Sequence, residues 1–63
     1  MNELGKEPLW TRREVASFFR VSTRTVDRIC RDRTLRFYRV GGRKRFDPAD
    51  VRVYLVSRKF GGE

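Results

Sequence analysis

The groups that could carry proton, metal or nucleophilic chemistry are eight carboxylates and one cysteine; there is no histidine. Their spacing does not assemble a catalyst. Glu14, Asp47 and Asp50 fall where helices should begin, Asp27 and Asp32 lie among arginines, and Glu3, Glu7 and Glu63 lie near the chain ends. No two are placed to share a proton or hold a cation. Cys30 excludes an internal disulfide, and without histidine no conventional zinc set forms. Spaced with Val26 and Ile29 on an apolar face, Cys30 is expected in the core. The sequence points to no enzyme, no cofactor, no metal and no small-molecule ligand.

The chemistry that is present is cationic. Lys and Arg number 16 against 8 acids, a formal charge of +8, and thirteen of the sixteen are arginine. Guanidinium forks match phosphates and the guanine edge better than ammonium does, which favours a nucleic-acid partner. A basic surface that is merely solvated is the plainer reading, and such surfaces also tend to meet a polyanion.

Two stretches concentrate the charge. In "RVGGRKR", Arg39, Arg43, Lys44 and Arg45 crowd around Gly41-Gly42. The glycines suffice for a turn, but four mutually repelling cations do not help one fold. A glycine tip can approach DNA closely, with its arginines in the narrow minor groove or on flanking phosphates. In "STRTVDRICR", a turn of 100° per residue puts Val26, Ile29 and Cys30 on one face. Arg24, Asp27, Arg28 and Arg31 point the other way, flanked by Thr23 and Thr25. Laid in a major groove, this helix would present Thr23, Arg24 and Arg28 to bases or phosphates and Arg31 to the backbone. Asp27 is expected to pair with Arg31 at i+4. The plain alternative is a solvated charged face; the charge sign, the tight turn before it and its Thr-Arg start favour recognition.

Positioning those residues takes a small set of elements. At 63 residues there is one domain and one core cluster. Residues 1–8 and 61–63 are expected as tails around a domain over 9–60. Thr11 and Glu14 form a capping box, with Trp10 and Val15 at the staple positions. Val15, Phe18 and Phe19 share a face, giving a first helix from Arg12 to Phe19 or Arg20. Ser22 caps a second helix over about Thr23–Asp32. So short a linker forces a sharp turn, the geometry of a helix-turn-helix. "LRFYRVGGRKRF" should fold as a hairpin pairing Val40 with Arg43, Arg39 with Lys44, Tyr38 with Arg45 and Phe37 with Phe46. Asp47 caps a third helix with Pro48 at its first position. Val51, Tyr54 and Leu55 should face inward, leaving Val53 and Val56 outside, with Phe60 on the same stripe if the helix continues. The fold class is α+β, mostly helical: a small winged helix-turn-helix. No stretch approaches the roughly 18 apolar residues of a membrane span, and a reducing, cytoplasmic location is expected.

These stretches carry a resemblance. "LWTRREVASFFRVSTRTVDRI", "YRVGGRKRF" and "DPADVRVYL", covering about residues 9 to 56, resemble the excisionase family of winged helix-turn-helix proteins, related in fold to MerR-type regulators. The chain departs from the family pattern after the second helix, where it has Thr34 and Arg36 in place of a common glycine and proline. The resemblance implies a non-catalytic recombination directionality factor of a phage or mobile element in a bacterial host. Such proteins bind adjacent attachment sites on double-stranded DNA, bend it, and direct a site-specific integrase toward excision. Carried over, the recognition positions are Thr23, Arg24, Asp27, Arg28 and Arg31, and the wing is Gly41 to Arg45. The stripe of Val53, Val56 and Phe60 would then contact the integrase or a neighbouring copy on DNA, or else consist of scattered exposed side chains. Two other readings stay open: a transcriptional regulator with an AlpA-like or MerR-like head, and a basic RNA- or ribosome-associated protein.

Overall fold

A computed structural model describes residues 8–61. Its elements are β1 (Trp10–Thr11), α1 (Arg12–Phe19), α2 (Thr23–Arg31), β2 (Tyr38–Val40), β3 (Arg43–Phe46) and α3 (Pro48–Ser57). The expected terminal tails fall almost wholly outside the described residues.

Each helix starts where side-chain chemistry satisfies free backbone donors. At α1 the Thr11 Oγ1 accepts from the Glu14 N–H at 3.1 Å, and the Glu14 carboxylate accepts from the Thr11 N–H at 2.8 Å. At α2 the Ser22 Oγ accepts from the Thr25 N–H at 3.2 Å. At α3 the Asp47 Oδ1 accepts from the Ala49 N–H at 2.9 Å, with Pro48 at the position that needs no donor. The first two helices end alike. Arg20 (φ 63°) and Arg33 (φ 61°) adopt left-handed backbone. The residue after each donates back into the last turn, Val21 N–H to Ala16 O at 2.9 Å and Thr34 N–H to Ile29 O at 3.2 Å. The chain reverses sharply there without a glycine.

The hairpin register is the expected one over three pairs: Val40 with Arg43, Arg39 with Lys44 and Tyr38 with Arg45. Gly41 (φ 59°) and Gly42 (φ 79°) both take the positive φ that a tight two-residue turn demands. The fourth pair differs. The β2 ladder begins at Tyr38, leaving Phe37 outside it. The ladder partner of Phe46 lies on the other edge of β3, where β1 pairs Trp10 with Phe46 and Thr11 with Arg45 in a sheet of order β1-β3-β2. Phe37 lies before β2 and meets Phe46 through their rings, 6.1 Å apart.

The core comprises Val15, Ala16, Val26, Cys30, Leu35, Phe46 and Val51, with Trp10, Phe19, Ile29, Phe37 and Tyr54 packed around it. Two expected inward residues stand outside. Phe18 is 48% exposed and packs edge-on against Trp10 at 5.1 Å; Ala16 takes the buried place on α1. Leu55 is 46% exposed, one turn past Val51 and beyond the core cluster. The third helix ends at Ser57, so Phe60 does not continue its stripe along the helix. No helix among the described residues is long and apolar enough to cross a membrane.

Candidate nucleic-acid interface

The apolar face of α2 is buried through Val26 and Cys30, which fixes its rotation and turns Arg24, Arg28 and Arg31 to solvent. All three are exposed, and none forms an ion pair among the described residues. Three guanidiniums are thus available on one short helix. Thr23 and Thr25 are half-buried at its start. Thr25 is committed to the cap, its Oγ1 lying 3.1 Å from the Ser22 Oγ.

Asp27 does not pair with Arg31. Its Oδ2 accepts from Arg12 Nη1 at 2.8 Å and its Oδ1 from Lys44 Nζ at 3.2 Å. A surface pair within one helix contributes little, whereas these partners reach a half-buried carboxylate from two other elements. Burial would raise the Asp27 carboxyl, but the hydrogen bonds and positive charge of Arg12 and Lys44 outweigh it and hold it below its ordinary value of 3.8. Cys30 behaves oppositely: burial pushes its thiol up, keeping it in the neutral form suited to the core.

The wing cations divide by what they touch. Lys44 Nζ sits 5.3 Å from the Phe37 ring centre and Arg39 Cζ 5.7 Å, each in cation–π geometry. Arg45 Nη1 donates to the Lys44 carbonyl at 2.9 Å. Arg43, next to the glycine tip, is exposed and has no side-chain partner among the described residues. The tip also has open space around it, since a Cβ built on Gly41 or Gly42 would meet nothing within 4 Å. Glycine is therefore required there by backbone conformation, and the space outside the tip is free for a ligand.

A cleft of about 560 Å³ separates the wing from the start of α1. Arg12, Arg13, Arg39, Arg43, Lys44 and Arg45 line it with Thr11 and Gly42, and no acid does. Sequence reasoning missed Arg12 and Arg13. The signal was present: two arginines in the first turn of a helix stand at the positive end of its dipole, where cations are disfavoured by about 0.3–1 kcal/mol each. An anion passing through the cleft would reverse that penalty.

A bundle of short helices with an exposed arginine face, a sharp turn before it and a basic wing beside it is the arrangement of a winged helix-turn-helix. The family comparison agrees. A model described as a helix-turn-helix domain matches residues 11–59, from the α1 cap to just beyond α3. The chain belongs to that family: it is a helix-turn-helix domain that binds double-stranded DNA sequence-specifically. Neither the curated proteins nor the solved structures gave a significant match.

Proposed function

We propose that this chain is an architectural factor for site-specific recombination, of the excisionase kind, with residues 9–60 as its working domain. It binds attachment-site DNA in the cytoplasm of a bacterial host, bends it, and directs an integrase toward excision. The observation that carries this reading is the pairing of two unlike surfaces on one small fold. The arginine face of α2 and the wing suit DNA, while α3 exposes Val53 (67%) and Val56 (72%), suited to a protein neighbour. Phe60, 84% exposed, adds apolar area beyond the end of that helix.

In this reading Thr23, Arg24 and Arg28 meet bases in the major groove, and Arg31 meets the backbone. Gly41 and Gly42 bring Arg43 against the flanking phosphates. Arg39, Arg45 and Arg13 hold phosphates along the cleft, positioning the domain without reading sequence. The apolar face of α3 contacts the integrase or the next copy along the DNA.

The test is reconstituted recombination on supercoiled DNA carrying the attachment junctions, with the cognate integrase. Excision should be stimulated and integration suppressed when the protein is added, and footprinting should then count the copies bound. No effect in either direction, with tight binding upstream of a gene, would replace this reading with transcriptional regulation.

A further inference from the structure

Asp27 is the one carboxylate on a helix whose outer face is otherwise cationic, where a bare negative charge would repel phosphate. Its two oxygens are taken by cations from two different elements: Arg12 at the start of α1 and Lys44 in the middle of β3. Lys44 is itself pinned, with its side chain only 23% exposed and its ammonium over the Phe37 ring. A cytosine amino group or a phosphate would have to compete with contacts already made. Carboxylate, ammonium and ring together form a continuous link from the recognition helix to the wing.

We propose that Asp27 and Lys44 are positioning residues rather than DNA ligands: their contact fixes the wing at a set offset from α2, so that groove-reading and backbone-gripping groups fall in register on one duplex. The inference rests on the DNA-binding reading and extends it to specificity. A floating wing would still be drawn to DNA by its charge, but the orientation of α2 in the groove would no longer be shared by every bound molecule. Loss of the link should cost discrimination more than affinity. Removing the Asp27 charge should even strengthen binding to random sequence, because Arg12 and Lys44 are then released to phosphates.

The test compares the full chain with Asp27→Asn, Lys44→Met, Lys44→Arg and Arg43→Ala, each first checked for cooperative unfolding. One arm needs no DNA: backbone order at Gly41 and Gly42, read by ¹⁵N relaxation in the free protein. It should fall in Asp27→Asn and Lys44→Met and hold in Lys44→Arg. The second arm measures Kd for the preferred and a random duplex over a range of salt. Asp27→Asn should bind random duplex more tightly, and its specificity ratio should drop on the order of tenfold. Lys44→Met should show the same drop in ratio with an unchanged salt slope, whereas Arg43→Ala should reduce the slope by about 0.9 and keep its ratio. Unchanged order at the glycines in both link variants would overturn the proposal, as would a specificity ratio unmoved by either. So would a slope reduced by about 0.9 in Lys44→Met, which would make Lys44 a phosphate ligand. If Asp27→Asn does not fold, Lys44→Met carries both arms. A wild-type protein with no preference among duplexes would count against the DNA-reading function itself, while the relaxation arm would still decide the link.

Discussion

Arg20 and Arg33 hold left-handed backbone at φ 63° and 61°, positions where a side chain costs about 1–2 kcal/mol and glycine costs nothing. Part of that difference is offset by the freedom glycine adds to the unfolded chain. Arg20→Gly and Arg33→Gly are each expected to stabilise the fold by about 0.5–1 kcal/mol, measured as a higher urea midpoint. At the recognition surface the roles of individual arginines separate by their surroundings. Arg28 stands on the buried-face-out rotation of α2, and Arg43 at the open glycine tip. Arg28→Ala should relax sequence preference, losing about 1–3 kcal/mol of discrimination, while Arg43→Ala should weaken binding evenly across sequences. Titration of duplexes with single base changes checks this, and equal losses everywhere for both variants would refute it. Asp27 also sets a pH dependence. Its folded value lies below the ordinary 3.8, so its stabilisation is present above pH 3.8 and lost as pH falls through the lower folded value. The stability gap between wild type and Asp27→Asn should therefore be open at pH 6 and close under strong acid, as urea midpoints across pH would show.

Element by element, the caps and the wing were legible because they rest on local chemistry. Thr11 with Glu14, Ser22 and Asp47 act at the expected helix starts, and the Gly41-Gly42 pair fixed the hairpin register. What escaped was set by tertiary packing. A two-residue strand has no periodicity to read, so the pairing of Trp10 with Phe46 was invisible. On α1, Val15, Phe19 and Ala16 span an arc of about 100°, and Phe18 lies about 60° outside it. The spacing with Val15 and Phe19 placed Phe18 on the inward face, but Ala16 is the residue buried there, and Phe18 is 48% exposed against Trp10. The link from Asp27 to Arg12 and Lys44 joins residues 15 and 17 positions apart, beyond any helical spacing rule. Two substitutions test the elements directly. Gly41→Ala should cost about 1–2 kcal/mol through backbone conformation alone. Phe46→Ala, at a fully buried residue of β3 that pairs with Trp10 and packs against Phe37, should cost about 3–5 kcal/mol and unfold much of the population at 37 °C.

For the whole molecule, function follows from how few residues the core needs. Eight buried side chains, the seven of the core cluster and Pro48, hold the described fold, leaving the arginines of α2, the wing and the α1 start on the surface, along with the apolar side of α3. A net charge of +8 on so small a body gives fast, salt-sensitive association with DNA. Val53→Asp with Val56→Asp should leave folding and single-site binding intact and abolish cooperative assembly or excision; unchanged assembly and excision would remove the role given to α3. The central claim is that α2 reads base sequence, and the most direct measurement is selection of bound duplexes from a randomised pool by the wild-type protein and by Arg28→Ala. The wild type should enrich one short motif, and the variant should lose preference at one position within it. Recovery of no enriched sequence by the wild type, at salt high enough to suppress purely ionic binding, would contradict the account.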